Sequence, residues 1–160
     1  MIDARFGHVN LIAGDWRALA AWYVRVFGCE VVPPERHYSG ADLAAGTGIP
    51  DAALRGVHLR LPGLGASGPT LEVYEYASMP PALPPAANRP GFQHIAFVVP
   101  SVTAARETVL AEGGGAIGTV VTLQTTDGRL VTWAYVTDPE DNIIELQSWS
   151  DPPRPAASAT

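Results

Sequence analysis

Four side chains carry the chemistry that this sequence suggests: His8, Glu72, His94 and Glu145. Imidazole and carboxylate are ligands that divalent transition metals accept, and two of each make an N2O2 set that leaves no net charge on a divalent ion. An octahedral ion held this way keeps up to two positions for water or substrate oxygens. Strand side chains alternate between faces. His8 therefore shares a face with Phe6 and Asn10, and Glu72 with Thr70, Tyr74 and Tyr76. His94 shares one with Phe92, Ala96 and Val98, and Glu145 with Ile143, Gln147 and Trp149. A carboxylate or imidazole buried on such a mostly apolar face costs free energy unless it is paired or metal-bound. A lone strand His is usually hydrogen-bonded or solvated, and a lone strand Glu usually faces water. What raises these four above that reading is that they recur.

The recurrence is an internal repeat. Phe6-Gly7-His8-Val9-Asn10-Leu11 and Phe92-Gln93-His94-Ile95-Ala96-Phe97 are both β-prone, with His in third place. Each is followed by a helical pattern. The first starts after Asp15, carries Trp16, Leu19, Ala20, Tyr23 and Phe27 at spacings of three and four, and stops at Gly28. The second follows Pro100-Ser101, runs through Ala104, Ala105, Val109 and Leu110, and stops at Gly113-Gly114-Gly115. Strand-like runs come next: 30–32, 54–61 and 70–76 in the first half, 118–123, 130–137 and 142–148 in the second. Leu71-Glu72-Val73 matches Ile144-Glu145-Leu146. The expected fold is α+β: two tandem βαβββ modules forming a curled mixed sheet around a metal site. The modules are expected at 1–79 and 91–150, with a Pro-rich linker at 80–90 and a flexible tail at 151–160. The first half is longer, and the surplus lies in 33–51, a polar, Gly-rich stretch that reads as an inserted loop over the substrate.

The motifs Phe6-Gly7-His8-Val9, Leu71-Glu72-Val73, His94-Ile95-Ala96-Phe97 and Asp138-Pro139-Glu140-Asp141-Asn142-Ile143-Ile144-Glu145-Leu146 resemble the vicinal oxygen chelate superfamily. It includes glyoxalase I, methylmalonyl-CoA epimerase, extradiol dioxygenases and the fosfomycin and bleomycin resistance proteins. The resemblance covers roughly residues 6 to 149. It implies that the first and last strands of each module supply metal ligands. Bacterial-type glyoxalase I uses a His/Glu/His/Glu set, which His8, Glu72, His94 and Glu145 match one by one. It also implies a homodimer, with the site built in one chain or shared by two.

The implied activity is that of a divalent-metal-dependent isomerase or lyase that moves a proton next to a carbonyl. The cofactor is one Ni, Co, Zn, Mn or Fe ion, and Glu145 or Glu72 is the base. The substrate is a small, vicinally oxygenated molecule, met by His37, Tyr74 and Trp133. One alternative is an extradiol-type dioxygenase using His8, His94 and Glu145. Another is a metal-free binding protein of the bleomycin-resistance kind. His58 and Arg60 are expected exposed or at the rim, Glu75 on the surface, and Cys29 as a small buried hydrophobe.

Bulk composition agrees with a packed domain or two. The 160 residues are 47% hydrophobic and 16% charged. The net charge is −6, all ten basic residues are Arg, and none cluster. Nucleic acid and anionic membrane are therefore excluded as partners. A single cysteine rules out an intrachain disulfide and a cysteine zinc site. With no secretory h-region after Met1-Ile2-Asp3-Ala4-Arg5 and no run near the ~20 residues of a membrane helix, a cytoplasmic location is expected.

Overall fold

Local chemistry sets the first helix. In the computed structural model, which describes residues 1–152, α1 spans Trp16–Phe27. The Asp15 carboxylate accepts from the backbone N–H of Arg17 at 3.1 Å and of Ala18 at 3.0 Å. Those are amides that a helix start leaves without partners. Gly28 closes the helix at φ 67°, where a side chain would be strained. The helix buries Trp16, Leu19, Ala20, Trp22 and Tyr23.

The rest of the first unit is β1 (His8–Ile12), β2 (Glu30–Ser39), α2 (Ala41–Thr47), β3 (Ala53–Arg60) and β4 (Thr70–Tyr76). They form a four-stranded sheet in the order β1-β4-β3-β2, with β1 parallel to β4 and the other pairs antiparallel. Val57, Leu59, Leu71 and Val73 alternate to the face that α1 contacts and are at most 2% exposed. Burying each such side chain contributes about 1.5–3 kcal/mol.

The second unit repeats this plan with β5 (His94–Val98), α3 (Val102–Ala111), β6 (Gly115–Gln124), β7 (Leu130–Thr137) and β8 (Ile143–Ser150). Its sheet order is β5-β8-β7-β6, again with only the β5/β8 pair parallel. Ala134, Val136, Ile144 and Leu146 form its core. Ser101 caps α3 by accepting from the Ala104 amide at 3.3 Å. The compact units divide between Leu83 and Pro84. The fold is α+β, built as two tandem modules whose four-stranded sheets stay open. Most of the tail expected to fray lies outside the described residues.

The expected inserted loop at 33–51 is corrected. The second strand continues through it to Ser39, and α2 follows. A bulge lets it do so: Val32 pairs with His58 and Arg36 with Gly56, so two extra residues are accommodated on β2 around Pro33-Pro34. The second unit bulges at the matching place, between Ile117 opposite Tyr135 and Val121 opposite Trp133. Two prolines that read as a strand end therefore sit in a bulge, where the ladder asks for no N–H.

Candidate metal centre

Each unit brings one His and one Glu together on the sheet face away from its helix. On β1 and β4, Asn10 is the Cα partner of Glu72, and His8 lies two residues earlier on the same face. His8 Nε2 stands 3.4 Å from Glu72 Oε2. On β5 and β8, Ala96 is the partner of Glu145, and His94 lies two residues earlier. His94 Nε2 stands 3.1 Å from Glu145 Oε2. In both pairs the carboxylate is the deeper group: Glu72 is 11% exposed beside His8 at 53%, and Glu145 is 19% exposed beside His94 at 34%.

A turn aims Glu145. The buried Asp138 carboxylate accepts at Oδ1 from the amides of Glu140 (2.9 Å) and Asn142 (3.0 Å). At Oδ2 it accepts from Asn142 Nδ2 (2.9 Å). Asp141 takes a left-handed φ of 66° inside that turn. The Asp-Pro-Glu-Asp-Asn run is thus the device that starts β8 in register with β5.

The donors fit a divalent metal. Two ligands each about 2.1 Å from one ion and about 90–109° apart lie ~3.0–3.4 Å from each other. The two His/Glu spacings fall there. Among the described residues, no group of three or more His, Cys, Asp or Glu side chains forms a ready-made cage. What each unit presents is one His/Glu pair.

The halves differ in their surroundings. Glu72 faces His58 directly across β3/β4, and His58 Nε2 is 3.0 Å from Glu72 Oε1. Asn10 Nδ2 donates to Oε2 at 3.2 Å. The Tyr74 hydroxyl lies 2.9 Å from His58 Nε2, and Thr70 Oγ1 3.2 Å from Nδ1. Burial pushes the His58 imidazole below its ordinary value; Glu72 pulls the other way, while Arg36 and His8 add to the fall. Burial, then the charge of Glu72, raises the Tyr74 hydroxyl to about 12. In the second unit Tyr135 faces Glu145 where the first has His58. Burial and then Glu145 raise its hydroxyl too. Its ring centroid lies 5.2 Å from His94 and 4.9 Å from Trp133.

His58 is thus half-buried at the centre of the first cluster rather than exposed at a rim. Arg60, by contrast, pairs outward with Glu30 at 2.6 Å. Of the expected substrate contacts, Tyr74 and Trp133 share the faces of Glu72 and Glu145 respectively. His37 does not: its partner is Arg55, whose partner is Glu75, on the opposite face. Its Nε2 stands 3.6 Å from Glu35. Arg36 and Tyr38, one position to either side, share the face of Tyr74. The bulge leaves the alternation of β2 intact, because two extra residues are an even number: Val32 faces His58 before it and Arg36 faces Gly56 after it. Glu75 pairs with Arg55 at 2.7 Å, away from the cluster.

A model of the Glyoxalase/Bleomycin resistance protein/Dioxygenase superfamily matches residues 5–146. The chain belongs to that superfamily. Members commonly use a divalent metal, bind small molecules and form dimers. The fold is that of a glyoxalase family protein from Bacillus cereus, at 16% identity and TM-score 0.72 over 91% of this chain and 93% of that one. A glyoxylase/bleomycin resistance protein/dioxygenase domain from Frankia sp. is similar at 18% identity and TM-score 0.55, over 92% and 93%. A genomically encoded fosfomycin resistance protein from Listeria monocytogenes is similar at 19% and 0.58, over 94% and 96%. At these identities the likeness is one of fold. No curated protein matches the chain. Among the described residues no helix is long and apolar enough to cross a membrane.

Proposed function

We propose that this protein is a divalent-metal-dependent isomerase or lyase that transfers a proton at a carbon beside a carbonyl, on a small substrate with two neighbouring oxygens. The observation that carries the reading is the pair of matched His/Glu half-sites, each at the spacing of two neighbouring ligands on one ion. His8 and Glu72 supply one half and His94 and Glu145 the other, within one chain or between two copies. The bound metal would stabilise negative charge on the substrate oxygens as the proton leaves carbon.

The two carboxylates take different roles in this reading. Glu72 is held on both oxygens, by His58 on one and by Asn10 and His8 on the other. Among the described residues, His94 is the one basic side chain within 4.0 Å of Glu145. Glu145 is therefore the group with freedom to turn, accept the proton at a carboxylate oxygen and return it to the neighbouring carbon. Tyr74 and Trp133 flank the two half-sites as substrate contacts. Ring cleavage by iron on a 2-His-1-carboxylate triad needs Glu72 turned aside, and the contacts that hold Glu72 oppose that.

The test pairs metal analysis with isotope exchange. Elemental mass spectrometry of the purified protein should find a divalent transition metal that His8→Ala/His94→Ala loses. The loaded protein, offered α-hydroxycarbonyl and acyl-thioester panels in D2O, should wash deuterium into the carbon beside the carbonyl, and Glu145→Gln should stop it. A protein that takes up no metal from a panel of divalent ions would end the reading. Exchange that persists in Glu145→Gln would remove Glu145 as base.

A further inference from the structure

Tandem modules predict equal half-sites, yet these two are unequal at one place. The strand position facing the metal-side Glu holds His58 in the first unit and Tyr135 in the second. We propose that His58 is a positioning residue, which fixes the Glu72 carboxylate so that Oε2 turns toward His8. This rests on the metal reading above.

Nδ1 lies 3.2 Å from Thr70 Oγ1, and Nε2 lies 2.9 Å from the Tyr74 hydroxyl and 3.0 Å from Glu72 Oε1. We assign the proton to Nε2, with the Thr70 hydroxyl donating to Nδ1, because that tautomer turns an N–H rather than a lone pair toward the carboxylate. A carboxylate otherwise turns freely about its last torsion. With Oε1 engaged by His58, and with Asn10 Nδ2 and His8 both on Oε2, one orientation remains. His58 is not itself the missing ligand. Its Nε2 meets the oxygen opposite to the one His8 meets, and its ring centroid stands 6.3 Å from that of His8. Gly56 makes room for the arrangement. A Cβ there would overlap the Tyr74 ring and the Val73 carbonyl, so the ring lies over Gly56 and its hydroxyl reaches His58. The second unit has no counterpart: Ala96 stands where Asn10 does, and Tyr135 where His58 does.

The chain Thr70, His58, Glu72 is testable by cobalt(II) titration of the full protein, read by visible absorption and by calorimetry. Losing a partner behind a metal ligand weakens metal binding about 10–100-fold. His58→Leu is expected to raise the cobalt dissociation constant by that factor and shift the absorption band. His58→Gln keeps an N–H donor near Nε2 and should bind within a few-fold of the parent. Thr70→Val should weaken binding less, and should add nothing in the His58→Leu background, because both act through one contact. Should His58→Leu fail to fold, Thr70→Val and His58→Gln still decide. Unchanged affinity and spectrum in His58→Leu, or in Thr70→Val, would overturn the proposal. So would loss of the cobalt band in His58→Gln as complete as in His8→Ala, which would mark a direct ligand. A parent protein that binds no cobalt would fail earlier, taking the metal reading with it.

Discussion

At the residue scale, the chemistry lies in how differently two equivalent carboxylates are treated. Glu72 has partners on both oxygens, while Glu145 has one on Oε2. Glu72→Gln should therefore show chiefly as weaker metal binding, and Glu145→Gln chiefly as lost isotope exchange with metal retained. Elemental analysis beside exchange rates separates the two, and equal losses in both readouts would mean that the roles are not divided. Cys29 is a contrasting case. It is buried, and burial pushes its thiol from 9.0 up to about 11. Near neutral pH it is not thiolate, so alkylation by iodoacetamide should be slow in the native protein and fast in denaturant. The sign of its pH effect follows. The unfolded chain releases this proton more readily, so the stability contribution is full below pH 9.0 and is lost as pH rises through about 11. Urea midpoints measured across that window should fall, and fall less in Cys29→Ala.

At the element scale, the sequence made α1 and α3 plain, and α2 and the strand pairing much less so. Asp15, Gly28 and Ser101 announce helix ends through groups that bond to nearby backbone. The strands 70–76 and 130–137 were also legible, because alternation is local. His58 was not, although its face could be read. What makes it central is its place opposite Glu72, and that depends on the length and path of the 61–69 connection, which no periodicity encodes. The same holds for Arg36 and His37, which read as loop residues because Pro33-Pro34 hides the continuation of β2 past the bulge. Element geometry also sets the cost of small changes. Gly56→Ala places a methyl against Val73 and Tyr74 and should destabilise by about 1–3 kcal/mol. Asp138→Ala strips three hydrogen bonds from the turn before β8 and should cost at least about 2 kcal/mol. Denaturant unfolding of each variant checks both, and a Gly56→Ala protein as stable as the parent would mean that β3 and Tyr74 shift freely.

At the scale of the whole molecule, the central question is whether two half-sites make one site. A single His/Glu pair supplies two ligands, too few to hold a transition metal firmly against water. Joining two pairs on one ion makes the second pair's binding intramolecular, so affinity rises far more than by a factor of two. Joint binding therefore predicts a sharp pattern. Native mass spectrometry should find one cobalt ion per chain in the parent protein. At the cobalt level that saturates the parent, neither His8→Ala nor His94→Ala should retain any. Independent half-sites would instead give two ions per chain, and one in each single mutant. A site shared between copies would put the cobalt in dimers alone. Linkage gives a second readout of the same event. An ion that binds only the folded protein stabilises it by about 2.7 kcal/mol at a hundred times its dissociation constant, so Tm should rise with free cobalt until the site fills. In either single mutant that rise should vanish, whereas a Tm that still climbs with cobalt in both would mean that each unit binds an ion alone.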